Sequence, residues 1–223
     1  MSNTTTKFGV IFDWDGVIID SSRQHEESWE RLAAEEKRAL PANHFKVGFG
    51  RKNEWIIASF LHWTEDPAEV HRLSLRKEAL YREIVLEKGI EALPGVHTFL
   101  QRLRDAGVPT CIGSSTHREN IATILGVMGF TGLFGGMITA EDVSHGKPDP
   151  EVFLKAAAVT GCAPKRCVVF EDAMAGIQAA RAGGMKVVGV ATTHPADDLT
   201  MTDRVVVRLD ELGIADLAAL FSR

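Results

Sequence analysis

The feature that most constrains the fold of this chain is an alternation, from about residue 90 onward, between short apolar runs and segments of helical period. The runs are rich in β-branched residues and cover residues 108–114 (VPTCIGS), 167–172 (CVVFED), 185–190 (MKVVGV) and 203–207 (DRVVV). Segments such as GVHTFLQRLRDAG and DAMAGIQAARAGG separate them, with apolar residues at helical spacing. Because strands without polar alternation are buried on both faces, the pattern predicts an α/β fold with a doubly wound parallel sheet between helical layers.

The ends of these helical segments carry residues typical of helix termini. Asp149 precedes Pro150, which predicts an N-cap followed by proline at the first helical position. Gly107, Gly161 and Gly183 stand where a left-handed residue commonly ends a helix. The agreement between the periodic pattern and its terminal residues supports the α/β interpretation.

Residues 21–90 differ from the rest of the chain, because amphipathic helical segments follow one another there without a convincing strand. The segments begin at SSRQHEESWERL, KNEWIIASFLHW and DPAEVHRLSLRK. Trp29, Trp55 and Trp63 lie in this stretch, and we expect them in its core. The sequence therefore predicts a core domain made of residues 1–20 and 91–223, interrupted by an all-helical domain of residues 21–90.

Composition excludes several classes of partner. The formal net charge is −5, which gives no basic surface for nucleic acid or an anionic membrane. No apolar run reaches the roughly 20 residues of a membrane span, and MSNTTTK lacks the apolar segment of a secretory signal. The three cysteines form no CxxC pair, which disfavours zinc or disulfides. We expect a cytoplasmic protein, a monomer or weak homodimer, with a small-molecule partner.

Polar residues follow three of the predicted strands at the edge where parallel sheets bind ligands. They are Asp13 and Asp15 after FGVIF, Ser114 to Thr116 after the second strand, and Glu171 and Asp172 at the end of CVVFED, with Lys147 in the loop HGKP. Crowded carboxylates need a countercharge, and oxygen ligands suit Mg2+. Hydroxyls and N–H groups at a helix N-terminus suit phosphate. The combination predicts phosphoryl transfer.

Four segments carry a family resemblance. FDWDGVIIDS, GSST, HGKPDP and FEDAMAGI occur in this order and closely resemble motifs I to IV of the haloacid dehalogenase (HAD) superfamily of phosphotransferases. The helical insert after the first motif resembles the C1-type cap of the β-phosphoglucomutase-like and phosphoglycolate phosphatase-like branch. The resemblance covers essentially the whole chain and implies a Rossmann-like core with an inserted helical cap.

The resemblance also implies roles for individual residues. Asp13 would be the nucleophile and Asp15 the general acid and base. Mg2+ would be held by Asp13, the Asp15 carbonyl and Asp172, with Glu171 contributing through water. The phosphoryl oxygens would bind Ser114 and Lys147, with Ser115 beside them. Simpler alternatives are a strand-end turn for Asp13 and Asp15, helix caps for Ser114 and Asp172, and a solvated surface position for Lys147.

Two cap residues, His25 and Arg51, fit positions that bind substrate in β-phosphoglucomutases. In those enzymes a lysine precedes the arginine in a loop resembling KGxxR, whereas this chain has VGFGR, with Val47 at the lysine position. After the second motif, THRE also departs from the mutase pattern, although His117 or Arg118 could reach a sugar. The simpler alternatives are packing for His25 and a surface ion pair for Arg51.

These features favour a Mg2+-dependent phosphatase that acts on a small phosphate monoester, and we expect a sugar phosphate. A β-phosphoglucomutase-type intramolecular phosphotransferase is the alternative, and the missing lysine counts against it. A non-catalytic module that binds a phosphorylated metabolite is a remote alternative, because all four motifs are intact.

Overall fold

The structure is a computed structural model that describes residues 8–48 and 51–222. It divides into two compact units, one containing the residues up to Asp20 and from Glu91 onward, the other Ser21–Ile90. The expectation about a secretory signal concerns residues 1–7, which lie outside the described residues. No helix in the described part of the chain combines the length and apolar character that crossing a bilayer requires.

The regular secondary structure in the described residues of the unit Ser21–Ile90 is entirely helical. Its helices are α1 (Ser22–Glu35), α2 (His44–Gly48), α3 (Asn53–Trp55), which continues into a π-helical turn (Ile56–Phe60), and α4 (Pro67–Lys88). Helices α1 and α4 pack together around an apolar cluster that includes Trp29, Leu32, Ile57, Trp63, Leu73 and Leu80. Trp29 and Trp63 are buried as expected, but the same expectation is wrong for Trp55, which is 39% exposed.

The other unit is built on a parallel sheet. Among the described residues its strands are β1 (Gly9–Phe12), β2 (Thr110–Gly113), β3 (Met137–Ile138), β4 (Cys167–Glu171), β5 (Lys186–Val190) and β6 (Arg204–Val206). Their order is β3-β2-β1-β4-β5-β6, and every neighbouring pair is parallel. The predicted doubly wound α/β fold is confirmed. Strand β3 was not predicted, because two residues are too few to produce a recognisable pattern.

Helices accompany this sheet along the chain. They are α5 (Val96–Asp105), α6 (Arg118–Val127), α7 (Glu151–Thr160), α8 (Met174–Ala182) and α9 (Ile214–Ala219). Helices α7 and α8 pack on the sheet through a cluster that includes Phe153, Ala156, Ile177 and Ala180. Strands β1, β2 and β4 are buried along their whole length, as expected for strands without polar alternation.

Two predicted helix termini differ from the structure. Asp149 accepts a hydrogen bond from the Glu151 backbone N–H at 2.9 Å, but Pro150 occupies the N-cap position, so α7 begins one residue later than predicted. At the end of α8 the φ of Gly183 is −74° and that of Gly184 is +73°, so the left-handed residue is the second glycine of the pair. Gly107 and Gly161 are left-handed as predicted.

Candidate active site

The order of the strands brings three acidic residues together. The chain winds outward through β2 and β3 and then returns to place β4 on the other side of β1. Ligands of such sheets bind beyond the strand ends at this reversal. Asp13 follows β1, Glu171 ends β4 and Asp172 follows it, and one carboxylate oxygen from each lies within 4.8 Å of the others.

Lys147 lies between two of these carboxylates. Its Nζ is 2.8 Å from Asp13 Oδ1 and 2.7 Å from Glu171 Oε1. The second oxygen of Glu171, Oε2, accepts a hydrogen bond from the Ala173 backbone N–H at 2.8 Å. Both oxygens of Glu171 therefore have partners, and Lys147 is held by two carboxylates rather than solvated at the surface.

The electrostatics of the cluster favour an additional cation. Burial raises the pKa of Glu171, and the charges of Asp13 and Asp172 add to the increase while Lys147 opposes it. Burial and the charge of Asp13 likewise raise the pKa of Asp172. Burial alone would lower the pKa of Lys147, but its two carboxylate partners raise that pKa above the ordinary value. The oxygen-only donor set fits Mg2+, whose binding would offset the excess negative charge.

Asp15 lies in a tight turn after β1. The Ile18 N–H donates to the Trp14 carbonyl at 2.8 Å and closes the turn, in which Gly16 has a φ of +76°. Asp15 Oδ2 accepts a hydrogen bond from the Thr116 hydroxyl at 2.5 Å. The Asp-Gly turn considered as a simpler alternative is therefore present, and it also brings Asp15 to the end of β2.

The segment after β2 differs from the predicted anion site. Ser114 is buried and its Oγ accepts from the Thr116 N–H at 3.1 Å, whereas Ser115 is exposed. Helix α6 begins only at Arg118, so Ser114 and Ser115 precede the helix instead of forming its N-terminus. The Glu141 carboxylate accepts from the Arg118 N–H, with both oxygens 3.2 Å away. A carboxylate of the chain itself thus accepts from the first N–H of α6, and a phosphate site formed by Ser114, Ser115 and Lys147 stays a prediction.

His117 and Arg118 pair with carboxylates in the same region. His117 Nδ1 is 2.9 Å from Glu141 Oε1, and the Arg118 guanidinium donates to Asp142. These contacts give both side chains a role in holding the segment after β3 against the start of α6.

His25 belongs to the helical unit and lies in a polar cluster between α1 and α4. The Lys77 ammonium donates to His25 Nδ1 at 2.6 Å, and the His25 ring stacks on Tyr81 with 4.1 Å between centroids. Lys77 Nζ also lies 3.1 Å from Glu78 Oε1. Burial, followed by the charge of Lys77, lowers the pKa of His25 to about 3. These contacts agree with the packing role considered as the simpler alternative for His25.

Arg51 lies in the same unit, two residues before the start of α3. Its guanidinium carbon is 5.0 Å from the centroid of the Trp55 ring. In the described residues Arg51 thus makes a cation–π contact, and not the surface ion pair that was considered as its simpler alternative. Phe49 and Gly50 of the VGFGR segment lie outside the described residues.

A polar segment that the sequence analysis did not use also contacts the site. Thr192, Thr193 and His194 follow β5, and the Thr193 hydroxyl donates to Asp172 Oδ2. The sequence could have indicated this segment, because ATTHP directly follows a predicted strand at the edge that holds the other polar residues. Thr116 was already among the polar residues predicted after the second strand.

A family model and two known relatives each match most of this chain. A family model described as haloacid dehalogenase-like hydrolase matches residues 9–184. The chain is 39% identical over 215 residues to the chloroplastic 5-amino-6-(5-phospho-D-ribitylamino)uracil phosphatase of Arabidopsis thaliana, covering 95% of this chain but only 57% of that relative. It is 32% identical to the validoxylamine A 7'-phosphate phosphatase of Streptomyces hygroscopicus subsp. limoneus, covering 91% of this chain and 94% of the relative.

A further relative and a solved structure extend the comparison. The β-phosphoglucomutase of Bacillus subtilis is 31% identical, over 83% of this chain and 84% of that enzyme. The crystal structure of a HAD hydrolase of family IA, variant 3, from Entamoeba histolytica superposes with a TM-score of 0.86, covering 97% of this chain and 100% of the other at 24% identity. At that identity the superposition supports the fold alone.

Proposed function

Because the chain belongs to the haloacid dehalogenase-like hydrolase family, we propose that it is a Mg2+-dependent phosphatase that hydrolyses a small phosphate monoester. The observation that carries the proposal is the position of Lys147, whose Nζ lies 2.8 Å from Asp13 and 2.7 Å from Glu171. An ammonium beside a carboxylate nucleophile lowers the repulsion that the nucleophile meets when it approaches a phosphate dianion.

In the first step an oxygen of Asp13 attacks phosphorus. The new bond to Asp13 forms as the bond from phosphorus to the ester oxygen breaks, and Asp15 gives its proton to the departing alkoxide. The hydrogen bond of 2.5 Å from Thr116 to Asp15 supports this role, because it fixes the orientation of the Asp15 carboxyl. Ser114 and Lys147 bind the phosphoryl oxygens.

In the second step water attacks the phosphorus of the aspartyl phosphate. Asp15, now deprotonated, takes a proton from the water, and the bond from phosphorus to Asp13 breaks to release inorganic phosphate. Asp13 is thereby regenerated as a carboxylate and Asp15 as the acid.

Mg2+ would be held by Asp13, the Asp15 carbonyl and Asp172, and would offset negative charge on the phosphoryl group. Glu171 is less suited to direct coordination, since its two oxygens already contact Lys147 and the Ala173 N–H. Its proposed role is to hold Lys147 in place and to contact the metal only through water.

The proposed substrate class is a phosphorylated sugar or sugar alcohol. One relative supports it, because its name specifies a phosphatase of a 5-phospho-D-ribitylamino compound, and a second relative is named as a phosphatase of validoxylamine A 7'-phosphate. The helical unit is proposed as the cap that selects the substrate, with His25 and Arg51 among its polar residues.

The test is a panel of phosphate esters assayed for phosphate release, including sugar phosphates, sugar-alcohol phosphates and 5-amino-6-(5-phospho-D-ribitylamino)uracil. We expect release with Mg2+, none with EDTA, and recovery when Mg2+ is restored. Asp13→Asn should lower kcat at least about 1,000-fold, because the amide cannot attack phosphorus. Asp105→Asn, an exposed aspartate of the same unit, should leave kcat unchanged.

Full activity in EDTA would exclude the metal role. Activity of Asp13→Asn above a few per cent of wild type would remove Asp13 as the nucleophile. The absence of phosphate release from every ester, by folded wild-type protein with Mg2+, would overturn the phosphatase proposal.

A second candidate is an intramolecular phosphotransferase, favoured by the 31% identity to the Bacillus subtilis β-phosphoglucomutase. The assay that separates the two supplies β-glucose 1-phosphate and follows glucose 6-phosphate and free phosphate together. Rapid isomerisation with slow release of phosphate would replace the hydrolase by the mutase. Val47 stands where the mutases have a lysine, and this difference favours the hydrolase, which releases free phosphate.

A further inference from the structure

The segment after β5 connects two parts of the candidate active site through adjacent threonines. The Thr192 hydroxyl donates to the Gly16 carbonyl, in the turn that carries Asp15. The hydroxyl of Thr193 donates to Asp172 Oδ2. One short segment thus contacts both the turn after β1 and the carboxylate after β4.

The hydrogen-bond directions around Thr193 are fixed by counting protons. A hydroxyl has one proton, and that of Thr193 goes to the Asp172 carboxylate, which can only accept while ionised. His194 Nδ1, 2.9 Å from Thr193 Oγ1 and 3.1 Å from the Asp172 carbonyl, must therefore be the donor to both. The result is a chain of donors from His194 through Thr193 to Asp172, in which each bond polarises the next.

The packing around Gly16 shows how closely these groups approach. A Cβ placed on Gly16 would lie 2.1 Å from Asp172 Oδ2 and 3.0 Å from Thr193 Cγ2. The space beside Gly16 is therefore filled by the Asp172 carboxylate together with the Thr193 side chain.

We propose that Thr193 is a positioning residue that holds the Asp172 carboxylate in the orientation in which it binds the divalent cation. The inference rests on the proposed function, which assigns Asp172 to the metal. Hydrogen bonds to a ligating carboxylate restrict its rotation and are worth roughly 10- to 100-fold in metal affinity. Since Thr193 is exposed, water can partly replace its hydrogen bond to Asp172. We therefore expect a change in metal affinity near the lower end of this range.

The experiment measures Mg2+ binding by isothermal titration calorimetry on the full chain without substrate. Thr193→Val keeps the shape but removes the hydroxyl, and should raise the Kd for Mg2+ about tenfold. Thr193→Ser keeps the hydroxyl and should bind within about threefold of wild type. The Mg2+ concentration for half-maximal phosphatase activity should shift by the same factor, while kcat at saturating Mg2+ changes little.

The matched control is Thr202→Val. In the wild-type protein the Thr202 hydroxyl donates to the Leu199 carbonyl at 3.0 Å, between β5 and β6. The control substitution should leave the Kd for Mg2+ unchanged. Thr193→Ala provides a second variant without the hydroxyl, for use if the Thr193→Val protein does not fold. Equal Mg2+ affinity for wild type, Thr193→Val and Thr193→Ala would overturn the inference while leaving the phosphatase proposal intact. A folded wild-type protein that binds no Mg2+ would overturn both.

Discussion

Single residues near the carboxylate cluster are constrained by space as much as by chemistry. Gly176 lies in the first turn of α8, and a Cβ there would be 1.7 Å from Glu171 Oε1, the oxygen that contacts Lys147. A larger side chain would have to displace Glu171 and disturb its contact with Lys147. Gly176, the glycine of FEDAMAGI, is therefore needed to leave room for the Glu171 carboxylate.

Gly176→Ala should destabilise the protein by about 1–3 kcal/mol, because the added methyl overlaps a buried carboxylate. It should also lower kcat, since Lys147 loses a fixed partner. Urea unfolding gives the stability, and phosphate release gives the activity.

Gly126→Ala is the control, because Gly126 also lies inside a helix of the same unit but its Cβ position is open. It should stabilise the protein by about 0.5–1 kcal/mol, the usual gain from removing a helical glycine. Similar effects of the two substitutions would mean that the space beside Glu171 is not limiting.

Among the elements, α4 shows how local signals and packing combine. Asp66 caps its N-terminus by accepting from the Ala68 N–H at 3.2 Å, Pro67 takes the first position, and Gly89 follows the end with a φ of +75°. Exposed ion pairs link α4 to α1 and the residue after it, namely Arg31–Glu87, Lys88–Glu27, Arg76–Glu35 and Arg72–Glu36. Because such pairs contribute only about 0–1 kcal/mol each, apolar packing dominates the contact.

Asp66→Ala should lower the free energy of unfolding by about 1 kcal/mol, because it leaves a helical N–H without its side-chain acceptor. For a chain of this length the midpoint of thermal unfolding should fall by about 2–4 °C. Glu65→Ala, at the exposed preceding position, should change stability by less than about 0.5 kcal/mol. A larger effect of Glu65→Ala than of Asp66→Ala would contradict the cap.

For the molecule as a whole, family membership confirms the prediction that the chain is an enzyme, a hydrolase of the HAD superfamily. The net charge of −5 leaves acidic residues in excess, and many of them pair with arginine or lysine. His25 differs from these groups, because its neutral form is the one that the fold favours. Stability should therefore depend on pH through His25 in a predictable direction.

The pKa of His25 is lowered to about 3 in the folded state, so between that value and its ordinary value near 6.5 the unfolded chain binds more protons. Its contribution to stability is fully present above about pH 6.5 and is lost as the pH falls through this window. Between pH 7 and pH 4, wild type should lose up to about 3 kcal/mol more than His25→Gln does.

Urea unfolding at several pH values measures this difference. His71→Gln is the control, because His71 is exposed in the same unit, and it should follow the wild-type profile. Parallel profiles for wild type and His25→Gln would show that burial of His25 does not favour its neutral form.

Much of the fold and of the site is predictable because the relevant signals are local. Parallel strands share an edge, so the positions of Asp13, Glu171 and Asp172 after apolar runs were enough to group them. The missing prediction of β3 and the wrong prediction for Trp55 also have local causes. Strand β3 is two residues long, and the amphipathic pattern around Trp55 does not reveal which of its faces is covered.

The α/β class, the helical insert and the set of carboxylates at one sheet edge are predictable from the sequence, because periodicity and strand ends are encoded by neighbouring residues. The pairing of those groups depends on the packing of distant elements: Lys147 contacts both Asp13 and Glu171, Thr116 contacts Asp15, and Thr193 contacts Asp172. All of these pairs join residues more than 20 positions apart. Their contact depends on the directions in which side chains leave separate elements, and no local pattern specifies those directions.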